Sequence, residues 1–313
     1  MNKKQLLILL LIILFIINFN IKENYSNNKI YPRIIWGKIW NIYNLEKKDI
    51  FFITDKNYRN YVSKLENYNK KFKVISLFGD ITFPEDKRYK NIKKNFFDKV
   101  YKNNNLVSWY CINYNFNKKY KKIKHLPLGL DFHTMSLGNK WGHKKTTELE
   151  QEKMIIKIYN NSLPFKQRLN KCFLCSNNNT SKSLKNNKYI KYDRSELNNL
   201  LKKNKLVDIC NSSSREVFWN TIIKYKFIIC PAGNGLDTHR LWEALFLGAV
   251  AIVQKTGLDP LMKEYPVVII DNFNEITEEN LNIWSIKYGK LCNNPNIRKK
   301  YYSEYWLDKI LSE

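Results

Sequence analysis

Three short segments, Lys226–Cys230, Val250–Val253 and Val267–Ile270, are apolar with almost no polar alternation. A strand with one wet face alternates apolar and polar residues, so runs like these belong to strands buried on both faces. Helix-length stretches separate them, among them His239–Leu247. A parallel sheet covered by helices on both sides buries such strands. The same order repeats upstream. Strands are predicted at Asp49–Thr54, Phe72–Phe78, Leu106–Cys111, Ile123–Leu128 and Cys172–Cys175. Helices are predicted at Lys56–Lys71, Asn91–Tyr101, Thr146–Asn160, Ser195–Lys203, Glu216–Lys224 and Thr277–Ile286. Thr146 or Thr147 caps the third of these helices, and Asn161–Pro164 ends it, which marks a boundary between two halves. The predicted fold is α/β, with two Rossmann-like domains over residues 31–160 and 161–290, a cleft between them and a helical tail over 291–313.

The 313 residues are 44% hydrophobic, enough for a packed core, which excludes a mostly disordered chain. The formal net charge of +26 raises nucleic acid or an anionic surface as a partner. All but eight of the 54 basic residues are Lys, however, and the guanidinium is the preferred reader of bases and phosphates. With Asn abundant and no compact basic motif, the charge reads as a bias spread over solvated surface. No nucleic-acid partner is expected, although a basic nucleic-acid-binding protein stays open as a reading.

Lys3 and Lys4 precede an uninterrupted apolar run, Leu6–Ile17, and no small-residue cleavage site follows it. This pattern predicts an uncleaved signal anchor over residues 1–21, a short stem over 22–30 and a single-pass type II membrane protein with its bulk in a Golgi- or ER-like lumen. The Cys172-Phe-Leu-Cys175 spacing suits a redox or zinc site, but on a strand the two thiols point to opposite faces and no His stands nearby. No metal site is expected.

The chemistry concentrates in Phe227-Ile-Ile-Cys-Pro-Ala-Gly-Asn-Gly-Leu-Asp-Thr-His-Arg-Leu-Trp-Glu-Ala-Leu245. A buried strand runs into a loop with Gly233, Asn234 and Gly235, and a helix starts near Thr238, a good capping residue. That puts a helix N-terminus at the carboxyl end of a parallel strand, a place suited to phosphate. Arg240 and Glu243 share one helix face. Arg240 suits a diphosphate clamp and Glu243 suits ribose hydroxyls. The loop is neither Gly-x-Gly-x-x-Gly nor a P-loop, which argues against nicotinamide and ATP-hydrolysis chemistry.

This stretch resembles the nucleotide-sugar-binding half of exostosin-like glycosyltransferases, nearest the ribitol-phosphate xylosyltransferase type. The matching residues are Pro231, Gly233, Gly235, Asp237, His239, Arg240, Trp242, Glu243, Ala244, Leu245 and Gly248, then Pro266, Val267, Val268 and Asp271. The likeness covers about residues 224–281 and is fainter around His125–His133 and Trp141-Gly142. The resemblance implies a GT-B fold with the donor in the C-terminal domain. It also implies transfer from a nucleotide sugar, most simply a UDP-sugar, to a glycan or other hydroxyl acceptor, with inversion. Asp237 and His239 enter as donor contacts on the same resemblance. No Asp-x-Asp metal signature is present, so no cofactor beyond the donor is expected and Arg240 with the helix end would neutralise the diphosphate.

An inverting transfer needs a base for the acceptor hydroxyl. Asp131 and His133 are candidates because they end a strand of the first half near the expected cleft; Asp80 is a second. Ser176, Asn177 and Arg194 stand in loops of the second half where phosphate contacts fit. A non-catalytic, membrane-anchored glycan- or nucleotide-binding protein on the same fold is the alternative.

Overall fold

A computed structural model of the chain describes residues 31–80, 82–83, 97–140, 143–175, 190, 192–210 and 214–313. The segment read as anchor and stem lies outside these residues, as do Ser176 and Asn177. Among the described residues no helix is long and apolar enough to cross a membrane.

The first half holds a four-stranded parallel sheet in sequence order: β1 (Ile50–Thr54), β2 (Phe72–Leu77), β3 (Leu106–Cys111) and β4 (Ile123–His125). Each register pair runs parallel. Alternate residues of these strands fill two different layers. Phe51, Ile53, Val74, Trp109 and Cys111 pack with Phe72, Phe83 and Phe97 on one side. Ile50, Ile75 and Tyr110 face the other side and join a cluster that continues into the second half. Helix α1 (Tyr58–Glu66) lies between β1 and β2 in the chain and is shorter than its sequence pattern suggested.

The second half holds a five-stranded parallel sheet of order β6-β5-β7-β8-β9. Its strands are β5 (Leu169–Cys175), β6 (Val207–Cys210), β7 (Tyr225–Ile229), β8 (Val250–Gln254) and β9 (Val267–Ile270). Strand β6 escaped the sequence reading: Val207-Asp-Ile-Cys210 is short, half-polar and at the sheet edge, so it lacks the continuous apolar signature. Cys172 and Cys175 do face opposite layers, the first with Leu174 and Phe227, the second with Phe173 and Ile228. The crossing helices are α2 (Glu148–Asn160), α3 (Arg194–Leu201), α4 (Arg215–Ile222), α5 (His239–Phe246) and α6 (Glu278–Gly289). Thr147 caps α2 through a reciprocal bond pair with Glu150.

Among the described residues several contacts tie the halves. The C-terminal helix α7 (Ser303–Leu311) returns to the first half, where Ser303 N–H donates to Arg33 O (2.9 Å) and Lys73 Nζ donates to Ile310 O (2.5 Å). Phe116 N–H donates to Gly257 O (3.0 Å), and His125 Nε2 meets the same oxygen at 3.0 Å. A Cβ on Gly257 would sit 1.8 Å from Asn115 Oδ1, so only glycine allows this approach. Another joint passes through Asp237 and belongs to the site.

Candidate active site

The second sheet reverses direction between β5 and β7. The chain steps outward from β5 to β6, then back past β5 to β7, and continues to β8 and β9. Open parallel sheets bind ligands in the crevice outside the carboxyl ends at such a point. The Gly233–Gly235 loop and the start of α5 follow β7 there. Thr238 is the N-cap, but its side chain makes no capping bond.

Two guanidiniums converge on this loop from different helices. Arg194, first residue of α3, donates from Nε to Ala232 O (3.0 Å). A Cβ on Gly233 would meet Arg194 Nη2 at 2.6 Å, so glycine makes room for the cation. Arg240, in the first turn of α5, lies over the Phe218 ring with its guanidinium carbon 4.4 Å from the centroid. Its Nε is buried and has no hydrogen-bond partner among the described residues. Burial and the neighbouring Arg240 together lower the pKa of Arg194 to about 10, against the opposing pull of Asp80. Two close cations with a buried N–H unspent form a natural seat for an anion. Beside them a small, partly open pocket is lined by Cys230, Leu236, Thr238, Val253, Gln254 and Met262.

The first half contributes Asp131 and His133 at the opposite wall. His133 Nδ1 is buried and lies 2.9 Å from Asp131 Oδ1, within ion-pair distance but without the alignment of a hydrogen bond. Thr134 N–H donates to that same oxygen (3.0 Å). Burial acts to raise the Asp131 pKa, but His133, the positive field of His239 and the Thr134 bond together hold it below the usual carboxylate range. Asp131 is thus an ionised partner for a ring that keeps about a third of its side-chain surface exposed. His239 meets Gly129 O through Nδ1 (2.8 Å), and its ring centre is 6.1 Å from that of His133. The start of α5 in the second half and the Asp131–His133 pair of the first half therefore face each other.

Asp237 and Glu243 are not placed as donor contacts. Asp237 is 1% exposed, and both its oxygens are used: Leu128 N–H donates to Oδ2 (2.9 Å) and Trp242 Nε1 to Oδ1 (2.8 Å). Its own N–H donates to Asn113 Oδ1 (2.6 Å). Asp237 is a bolt between the halves. Glu243 is buried and turned inward, 4.0 Å from Arg215 Nε. Gly235 also serves the joint, since a Cβ there would sit 2.9 Å from the Asn113 amide and 3.1 Å from Asp80 O.

Burial pushes the Asp237 carboxyl up to about 7, despite its bonds from Leu128, Trp242 and Thr238. A raised folded pKa means the native state holds a proton that the unfolded chain releases near 4. This residue's contribution to stability is full below about 4 and lost as pH rises through about 7. Asp237→Asn is expected to flatten the pH dependence of the urea midpoint across that window. An unchanged slope would remove Asp237 as the titrating group.

No protein-family model matches this chain. No curated protein matches it either. Among solved structures it is similar to an alpha-glucosyltransferase in complex with UDP-glucose and DNA containing an abasic site, with a TM-score of 0.34, 10% identity, and 85% of this chain and 80% of that one covered. A second is an alpha-glucosyltransferase in complex with UDP, with a TM-score of 0.33, 10% identity, and coverage of 85% and 81%. At this distance, what the site does rests on its own side chains.

Three residues of the site carry no mark in the sequence reading. Arg215 and Gln151 approach Asp131 from α4 and α2, and Asn113 joins the loops with a left-handed backbone (φ 56°). Scarcity was the available signal for Arg215, one of eight arginines. Asn113 is hidden in an Asn-rich chain.

Proposed function

We propose that this protein is an inverting glycosyltransferase that uses a nucleotide sugar, most simply a UDP-sugar. The observation that carries the reading is the convergence of Arg194 and Arg240 on a glycine loop at the sheet's switch point, with the Asp131–His133 pair facing the start of α5. The guanidiniums and the first turn of α5 suit a diphosphate, and the adjoining pocket suits the rest of the donor. The exostosin-like resemblance of residues 224–281 supports the same assignment.

In this mechanism the acceptor hydroxyl gives its proton to His133 Nε2 as its oxygen attacks the anomeric carbon. The bond from that carbon to the diphosphate breaks on the opposite face, and the configuration inverts. Asp131 holds the ring through Nδ1 and stabilises the imidazolium that forms. Arg240 and Arg194 take the charge that grows on the leaving diphosphate. Because these cations supply that charge, the reaction is proposed to run without a metal ion and to survive a chelator. The acceptor is a glycan or another hydroxyl compound. The enzyme is held in a lumenal compartment by the apolar segment near its N-terminus.

Thermal shifts against UDP, GDP, CMP and their sugars test the donor. Ligands that bind only the folded state raise the melting temperature, more so above the dissociation constant. Arg240→Ala is expected to weaken nucleotide-diphosphate binding about 10–100-fold, the range for one charge-assisted bond pair, with a native circular dichroism spectrum. No shift with any nucleotide in a well-folded sample would favour the non-catalytic alternative. Wild-type affinity in Arg240→Ala would move the diphosphate away from α5.

A further inference from the structure

Arg215 reaches from the second half to Asp131, the partner of the proposed base. It is the first residue of α4, and it is 7% exposed. Its Nη1 donates to the Asp131 backbone oxygen (2.6 Å) and to Gln151 Oε1. Its Nη2 donates to Asp131 Oδ2 (3.4 Å), and its Nε stands 4.0 Å from Glu243 Oε1. Trp219 lies beneath the guanidinium at 5.6 Å. Its backbone N–H donates to His143 Nε2, which ties the same helix start to the loop after His133. The order Glu243, Arg215, Asp131, His133 therefore runs from α5 of the donor half to the dyad of the acceptor half.

We infer that Arg215 is a positioning residue that holds the Asp131–His133 dyad in its working geometry from the opposite half, so that the base is assembled only while the two halves are docked. This rests on the glycosyl-transfer reading for its catalytic consequence but not for its geometry. Asp131 has two oxygens. Oδ1 faces His133 and Thr134, and Oδ2 is left to Arg215. Without Arg215 the carboxylate keeps only the contacts of Oδ1 and is free to rotate, and a rotated carboxylate no longer selects one ring nitrogen of His133. The tautomer of a histidine is set by what its other nitrogen meets. Gln151 accepts from the same Nη1 and is itself held in place, since its Nε2 donates to Phe132 O (2.8 Å) and Thr146 O (3.0 Å). A planar cation held by Asp131 and Gln151 and close to Glu243 has little freedom, which makes it a useful reference point for the carboxylate.

Arg215→Gln and Arg215→Lys test this in the full chain with two readouts. Long-range 1H–15N spectra of the histidine rings, at a pH where they are neutral, read the tautomer with no need for turnover. The parent is expected to show His133 with its proton on Nδ1, and Arg215→Gln a mixture. Steady-state kinetics with a UDP-sugar should show kcat down at least 10-fold in Arg215→Gln with KM for the donor within about threefold. Arg215→Lys keeps the charge but not the fork, and should fall between the two in both readouts. If Arg215→Gln fails to fold, Arg215→Lys alone decides. A parent tautomer ratio and parent kcat in a folded Arg215 variant would overturn the inference. Should no nucleotide sugar be turned over by the parent, the transfer reading fails, while the ring spectra still decide whether Arg215 sets the dyad.

Discussion

His133→Ala is expected to lower kcat for sugar transfer about 10²–10⁴-fold, the range for removal of a positioned general base. KM for the nucleotide sugar should hold within a few-fold, because the proposed diphosphate seat at Arg194 and Arg240 belongs to the other half. Asp131→Asn should lose a similar factor for a different reason. An amide in place of the carboxylate no longer stabilises the imidazolium, and it can favour the wrong ring tautomer. The exposed third of the His133 side chain makes its loss structurally mild, so the melting temperature should change little. Asp131→Asn also weakens the partner of a buried guanidinium and should lower it. Single-turnover kinetics separate the two effects from donor binding. An unaltered kcat in His133→Ala would hand the base role to Asp80, which sits at the end of β2 close enough to Arg194 to shift its titration.

Gly129→Ala is expected to destabilise the protein by about 2–5 kcal/mol, from the summed cost of a left-handed backbone for a residue with a Cβ and of overpacking against rigid atoms. Gly129 has φ +73°, and an added Cβ would fall 2.2 Å from Ile35 O and 2.6 Å from Ile35 C. These are backbone atoms, held in place where Leu130 N–H donates to Ile35 O (2.9 Å) and Trp36 bridges Leu130. Neither side can yield as a flexible side chain would. The displaced segment carries Leu128, which bonds Asp237, and the Gly129 oxygen that meets His239. It leads directly into Asp131 and His133. Stability and activity should therefore fall together, which a urea titration and a transfer assay on one sample would read. A melting curve within 2 °C of the parent, where this energy corresponds to about 3–8 °C for a chain of this length, would contradict the close approach.

Most of the strands were legible because buried parallel strands leave an unbroken apolar run. Leu106–Cys111 and Val267–Ile270 stand where the pattern put them, and the helix starting at His239 begins at its expected residue. The glycine loop after β7 was legible for the same reason: a turn between such a strand and the start of a helix has little choice of path. What periodicity does not encode is which side of a loop meets which partner. Gly235 and Asp237 look like ligand contacts in one dimension, yet in space they touch Asn113 and Leu128 of the other half.

The chain's own pattern determined an α/β fold in two halves and a glycine loop leading into a helix that bears Arg240. Those follow from local rules, burial period and turn chemistry, which act within about twenty residues. Tertiary structure alone decided that the sheet reverses at β5 and β7, that Arg194 and Arg240 meet there, and that Arg215 crosses to Asp131 over 84 positions. Charge pairing in a low-dielectric interior depends on distance in space, and sequence separation carries no trace of it.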